Sequence, residues 1–280
     1  MKATQEWLVA TNRQYLAKSN SSAFVHLGQY TAELRETGSG DPVVMIPGLA
    51  GGADLLSPLT QCLAGGFHVF NYQLRGESDC FALRHPFDLD DLVEDLAELL
   101  DSLRLETPTI MGLSFGGIVA LKFAIRYPHR LNRLIVQGVG ARHEPGLLQQ
   151  VASTVLSRFP LPSDNPFVNQ FFNLLFGGRQ KQDALFDFVT RQVWQTDQSV
   201  MAHRLRLVEQ FDIADRLHRI RAATLVLCGE RDVLVSKASL RQLCDSIPNA
   251  TFASLPGCGH LAFVTKPGLI AKQVDQFLKS

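Results

Sequence analysis

Charge of one sign is the first thing this sequence lacks: 27 lysines and arginines are matched by 27 aspartates and glutamates. No basic cluster longer than a few residues occurs, so nothing suits a phosphate backbone and nucleic acid is not expected as a partner. Long apolar runs are missing too. The opening stretch, MKATQEWLVATNRQYLAKSNSS, mixes charged and polar residues where a signal peptide would be unbroken and apolar, and no later run is long enough to span a bilayer. The expectation is a soluble, cytoplasmic chain with no membrane partner. Cysteine is scarce and scattered. Cys62, Cys80, Cys228, Cys244 and Cys258 are odd in number and form no C-x-x-C pair, which argues against a disulfide framework and a structural zinc site; buried free thiols are expected and no metal. Repeats and low-complexity tracts are also absent, which removes solenoids and arrays.

What is present is a chain of 280 residues, 46% of them hydrophobic, enough for a full core. AFVHL and YTAELRE flank Gly28 and Gln29 as the strands of an antiparallel hairpin would. Short apolar runs then alternate with helical patterns: VVMIPG, a helix near Ala53 to Leu63, FHVFNY, a helix from about Leu89 to Leu103, TIMGLS, and a helix from about Gly116 to Tyr127. RLIVQGV, TLVLCG and ATFASL follow further on. Continuous rather than alternating apolar strands are covered on both faces, and strands alternating with helices make a mostly parallel, doubly wound α/β sheet, here of about eight strands. Ligands bind such sheets at the carboxyl ends of the strands.

The strand ends therefore carry the chemistry. Gly112-Leu113-Ser114-Phe115-Gly116 lies between a strand and a helix, the setting that turns G-x-S-x-G into a nucleophile elbow, with glycines where side chains would collide. A serine N-cap with glycines for close packing is the alternative the pentapeptide alone leaves open. A serine nucleophile needs a base and an orienting acid, and in this fold they arrive in the order serine, acid, histidine. TLVLCG ends in Glu230-Arg231-Asp232 and ATFASL ends in Pro256-Gly257-Cys258-Gly259-His260, so Ser114, Asp232 and His260 are the candidate triad. Glu230 follows its strand too closely to reach across. A tetrahedral intermediate also needs an oxyanion hole, for which Phe115 offers one amide and Leu49, in IPGLAGG, the other.

With these motifs in place the sequence resembles the α/β-hydrolase superfamily over nearly its whole length, from GSGDPVVMIPG through YPHRLNRLIV and GERDVLV to GCGHLAFVTKPGLI. More narrowly it is similar to capped bacterial hydrolases, which include 3-oxoadipate enol-lactonases, haloperoxidase-like esterases and C–C bond hydrolases. The resemblance implies Ser114 as nucleophile, Asp232 as acid, His260 as base, the amides of Leu49 and Phe115 as oxyanion donors, and no cofactor. The chain departs from the family pattern at Pro47-Gly48, where a His-Gly pair is usual, and in NYQLRGES. Arg75 and Gly76 in that segment are expected to be structural.

Some eighty residues separate RLIVQGV from the acid strand, too many for an ordinary connection and too apolar for a disordered linker. Phe159, Phe167, Phe171, Phe172, Phe176, Phe186, Phe188 and Trp194 fall at helical spacing there. The division expected is an N-terminal helical extension over 1–23, a core formed by 24–141 and 212–280, and a helical cap over 142–211. Phe172 and Trp194 are candidate substrate-lining residues of an apolar pocket. Arg142, His143, His203, Arg204 and Arg206 are weaker candidates for meeting a substrate carboxylate, since charges on helices usually form a solvated face. The function expected is a serine hydrolase acting on a small-molecule ester, lactone or thioester. C–C bond hydrolysis of a diketone and a non-catalytic binding protein on the same fold are the alternatives. Neither the substrate nor the oligomeric state is written in the sequence.

Overall fold

The computed structural model describes residues 21–77, 83, 85–143, 146–158, 161–162, 166–178 and 183–280. Most of the expected N-terminal extension, along with Cys80 and Phe159, lies outside these residues, as does the side chain of Phe167. Eight strands form one sheet: β1 Ser21–Leu27, β2 Tyr30–Thr37, β3 Asp41–Ile46, β4 Phe67–Tyr72, β5 Thr109–Leu113, β6 Arg133–Gln137, β7 Ala223–Gly229 and β8 Ala250–Leu255. Their spatial order is β1-β2-β4-β3-β5-β6-β7-β8. The β1–β2 hairpin pairs antiparallel and β2 pairs antiparallel with β4; every later pairing is parallel. Because β1 already begins at Ser21, the hairpin takes residues 21–23 from the expected extension.

The continuous apolar strands fill two cores at once. Val44, Ile46, Ile110, Leu134 and Val136 point to one face of the sheet, while Val43, Met45, Met111, Leu113 and Ile135 point to the other. Since successive side chains of a strand alternate faces, both parities must be apolar when both faces are covered. Helices α3 Leu89–Ser102 and α4 Phe115–Arg126 cover the first face, and α3 starts at a capping box in which Asp88 accepts from the N–H groups of Asp90 and Asp91. The second face receives α1 Gly52–Leu55, α2 Ser57–Leu63, and the last helices, α10 Ala262–Thr265 and α11 Pro267–Leu278. The single helix expected from Ala53 to Leu63 is thus two. Pro58 explains the break: lacking an N–H, it sits in the first turn of a new helix and not within an old one.

Among the described residues four α-helices lie between β6 and β7, α5 Leu147–Arg158, α6 Pro166–Leu175, α7 Asp183–Val193 and α8 Gln198–Glu209, with a 3-10 turn at Leu217–Arg219, and α9 Lys237–Ser246 follows before β8. They are not a separate globule. Phe172, Leu175, Phe176 and Val189 join the core cluster of Leu55, Leu59 and Phe263, while Leu207 and Phe211 join the cluster on the opposite face. Most of the insert's aromatic residues therefore anchor it. Among the described residues no helix is long and apolar enough to cross a membrane. Cys62, Cys228, Cys244 and Cys258 are free thiols, though Cys62 is exposed, contrary to the expectation that all would be buried.

One of the tight joints in this architecture is between β3 and the start of α4. A Cβ placed on Gly116 would run into the carbonyl oxygens of Ile46 and Pro47. Gly116→Ala is accordingly expected to cost about 1–3 kcal/mol, the scale of core overpacking. Gly268 in α11 meets nothing within 4 Å, so Gly268→Ala should be neutral or stabilising by up to about 1 kcal/mol. Urea unfolding of the two variants checks the contrast.

Candidate active site

Parallel register decides which loops meet. Ile46 pairs with Gly112, Leu113 with Gln137, and Gln137 with Leu227. One or two residues past these pairs, Gly48, Ser114 and Gly138 stand side by side at the carboxyl ends of β3, β5 and β6. The order of strands reverses between β3 and β5, since β4 lies on one side of β3 and β5 on the other. That reversal opens a crevice above the sheet, the usual ligand position in this architecture.

Ser114 closes β5 and precedes α4 with φ 53° and ψ −115°. For a residue with a Cβ this is strained backbone, costing of order 1–3 kcal/mol. Its side chain does not cap the helix, although it occupies the N-cap position. Instead Ser114 Oγ lies 2.7 Å from His260 Nε2. The strain is fixed by its surroundings: Ser114 N–H donates to the Gln137 carbonyl, and Gly112 and Gly116 leave no room for Cβ atoms.

His260 Nδ1 lies 2.9 Å from Asp232 Oδ2. An ionised carboxylate only accepts, so Nδ1 carries the proton and Nε2 is left to accept from the Ser114 hydroxyl. The other Asp232 oxygen accepts from the N–H groups of Leu234 at 2.9 Å and Val235 at 3.3 Å. Burial by itself would raise the Asp232 carboxyl; the His260 imidazole and these two amides outweigh it and hold the group below the usual carboxylate range. Cys228 Sγ lies 4.0 Å from Asp232 Oδ2, and burial together with that carboxylate pushes its thiol up to about 12, so it remains protonated. Glu230 points elsewhere, accepting from the N–H of Gly257 in the loop that leads to His260.

The structure thus brings Ser114, Asp232 and His260 together, and Leu49 and Phe115 line one cavity with Ser114 and His260. Phe115 is the first residue of α4, where backbone N–H groups have no intrahelical acceptor. Gly48 has no left-handed φ, and a Cβ there would make only ordinary contacts, 3.6 Å from the Leu113 carbonyl oxygen and 3.7 Å from the Ser114 Cβ.

The cavity, about 240 Å³, is roofed by Leu156, Phe172, Trp194, Met201 and Val208, at least one from each of the four inserted helices or the turn that follows. Arg142 and His143 lie on its wall. The other cationic candidates do not: His203 is bonded to the Phe87 backbone at 2.6 Å, Arg206 is exposed on the last turn of α8, and Arg204 is fully buried. Arg75 forms a two-pronged pair with Asp95 at 2.6 and 3.0 Å, the structural part expected of it. No three His, Cys, Asp or Glu side chains gather in a metal-holding group among the described residues.

Two positions escaped the sequence reading. Gln137 donates from Nε2 to the His260 carbonyl at 3.0 Å, and Gly138, with φ 69°, makes room for the imidazole, since a Cβ there would be 2.9 Å from His260 Cε1. A polar residue and a glycine ending the otherwise apolar RLIVQ strand were the available signal.

Comparison with known proteins agrees with this fold. A family model described as alpha/beta hydrolase fold matches residues 41–267. The chain is 26% identical over 245 residues to the poly(3-hydroxyalkanoate) depolymerase of Ectopseudomonas oleovorans, covering 85% of this chain and 84% of that protein. It is 24% identical over 266 residues to the 2-hydroxy-6-oxo-6-phenylhexa-2,4-dienoate hydrolase of Burkholderia cepacia, covering 88% and 92%. The crystal structure of a hydrolase from Pseudomonas aeruginosa PA01 superposes with a TM-score of 0.80 at 23% identity, over 94% of this chain and all of that one, and shows the shared fold. Strand order, register and a family match spanning most of the sequence lead to one conclusion: this chain belongs to the α/β-hydrolase fold family.

Proposed function

We propose that the chain is a cofactor-independent serine hydrolase that cleaves a carboxylic ester, lactone or thioester of a small to medium apolar acyl group. The observation that carries this reading is the strained Ser114, whose hydroxyl faces His260 Nε2 at 2.7 Å where a capping serine would face its own helix. Ser114 Oγ attacks the substrate carbonyl while its proton passes to His260 Nε2; the carbonyl oxygen becomes the oxyanion, received by the Leu49 and Phe115 amides. Asp232 holds the imidazole in its tautomer and stabilises the cation. Collapse of the intermediate breaks the bond to the leaving group, which takes the proton from His260. Water then repeats the two steps on the acyl-enzyme, releasing the acid and restoring Ser114.

The apolar roof supports an uncharged, hydrophobic acyl portion. C–C hydrolysis of a diketone-type acid is the second reading, favoured by the Burkholderia relative and by Arg142 on the cavity wall, where a carboxylate would find a cation. A panel of p-nitrophenyl esters of rising chain length beside lactones, thioesters and diketones separates the two, and a fluorophosphonate probe separates both from an inert binding protein.

Ser114→Ala is expected to stay folded and lose ester turnover, because the replaced hydroxyl forms the bond; turnover within about tenfold of the parent would refute the assignment. Asp232→Asn should be folded and crippled, while Glu230→Gln, which keeps an acceptor for Gly257, should be nearly silent in the same assay.

The depressed Asp232 pKa also fixes a stability profile. A carboxylate lowered on folding contributes stability above its unfolded value, about pH 4, and loses it as pH falls through the folded value. The melting-temperature gap between parent and Asp232→Asn should therefore stay level from neutral to about pH 5 and narrow as pH is taken below that to about 3. A gap constant over that range would mean that the carboxylate is not held ionised by its partners.

Trp194→Ala, enlarging the roof, should shift preference toward longer acyl chains, each methylene being worth about 1–3 kcal/mol in discrimination. A fall in melting temperature with the chain-length profile unmoved would make Trp194 an anchor of the insert only.

A further inference from the structure

The loop that carries Leu49 has little of its own to hold it. Pro47 has no N–H to donate, and Gly48, Gly51 and Gly52 have no side chains. What holds it comes from the inserted helices. Arg204, at 0% exposure the largest fully buried side chain among the described residues, enters from α8. Its Nη1 donates to the Leu49 carbonyl at 2.9 Å and to Glu77 Oε1 at 2.6 Å, and its Nη2 donates to the Arg75 carbonyl at 2.9 Å. The guanidinium also lies 5.7 Å from the centre of the Phe115 ring. One side chain therefore touches both residues whose amides the reaction would use.

Neighbouring contacts serve the same loop. Thr196 Oγ1, just before α8, accepts from the Gly51 N–H at 3.0 Å. Glu77 Oε2 accepts from the Leu74 N–H at 3.3 Å and lies where a Cβ on Gly52 would come within 3.0 Å of it. A charge buried this deeply is tolerated only when paired and hydrogen-bonded, and the fork of a guanidinium can hold a carboxylate and two carbonyls where an ammonium cannot match the geometry.

We propose that Arg204 is a positioning residue for the oxyanion hole: paired with Glu77, it holds the Leu49 carbonyl and the Phe115 ring, and so fixes the backbone at Leu49 and Phe115 so that their two amides converge on the developing oxyanion. The proposal rests on the hydrolase reading of Leu49 and Phe115. Arg204 does not line the cavity and touches no substrate, so its effect must appear in the transition state and not in ground-state binding.

Two variants test it. Arg204→Lys keeps the charge and loses the fork; the double variant Arg204→Met with Glu77→Gln removes both charges, leaving neither buried alone. Each is compared with the parent for kcat and KM on p-nitrophenyl butyrate, for affinity toward an alkylboronic acid that forms a tetrahedral adduct, and for hydrogen exchange of the segment 46–56. Removing one oxyanion donor outright costs about 10²–10³ in kcat, so a loosened hole should lose roughly 10- to 100-fold, with KM within about threefold. Boronate affinity should fall in parallel, and exchange over 46–56 should quicken while β5 and β6 stay protected. A folded variant with kcat within about threefold of the parent and unchanged loop protection overturns the proposal, as does a rise in KM alone. Should Arg204→Lys not fold, the double variant carries the same readings. A parent protein inert toward both the ester and a fluorophosphonate counts against the hydrolase reading, and loop exchange alone then decides the clamp.

Discussion

The backbone of Ser114 is the constraint on which the rest of this molecule depends. A residue with a Cβ held at positive φ stays there only if its neighbours leave it no easier place, and here they do so from three sides. The β6 backbone takes its N–H, Gly112 lies pressed against Gly116, and Gly116 is pressed against the end of β3. Each contact requires its strand to be in register, and register in turn follows from apolar side chains packing on both faces of the sheet. The strain at one peptide is thus sustained by the burial of some dozens of residues, which is why it sits at the centre of the sheet and not at the exposed edges formed by β1 and β8.

Polarity is arranged by the same logic. The interior beside the site contains Glu77, Asp95 and Arg204, all nearly or fully buried, with Arg75 partly so. Unpaired, any of them would be costly; as Arg204–Glu77 and Arg75–Asp95 they form two ion pairs whose remaining hydrogen bonds go to loops around the strand ends. Such pairs do little for net stability compared with apolar packing, but their geometry is directional where apolar packing is not. Loops that must hold an amide in a fixed direction profit from that directionality.

How much of this could be read from the sequence divides along the same line. The sheet was legible because VVMI, TIMGL and LIV show both parities apolar, and the site because Ser114 and Asp232 follow such runs and His260 follows the next strand, ATFASL. Those are local patterns, visible within a few residues. The two-helix break at Pro58 is hidden in the sequence by the apolar periodicity of ADLLSPLTQCL, which runs on through the proline. Arg204 was not legible. Its partner Glu77 is 127 residues away, and nothing in HRLRL distinguishes a buried arginine from the exposed Arg206 two positions on. Spacing can place both on one helix; only the tertiary packing says which of them is inside.

The turn after α6 touches the opposite end of the machinery. Gly177 and Gly259 are in backbone contact, closer than any side chain would allow, and the Leu261 N–H donates to the Leu175 carbonyl at 3.0 Å. The loop bearing His260 is thereby laced to the inserted helices by main chain, as the Leu49 loop is by Thr196 and Arg204. These helices are consequently not an interchangeable module. Grafting the insert of another member onto this sheet would carry over a pocket while discarding the seams that aim both the histidine and the amides, so new specificity in this scaffold is more accessible by side-chain exchange within the existing roof than by transplanting a whole one.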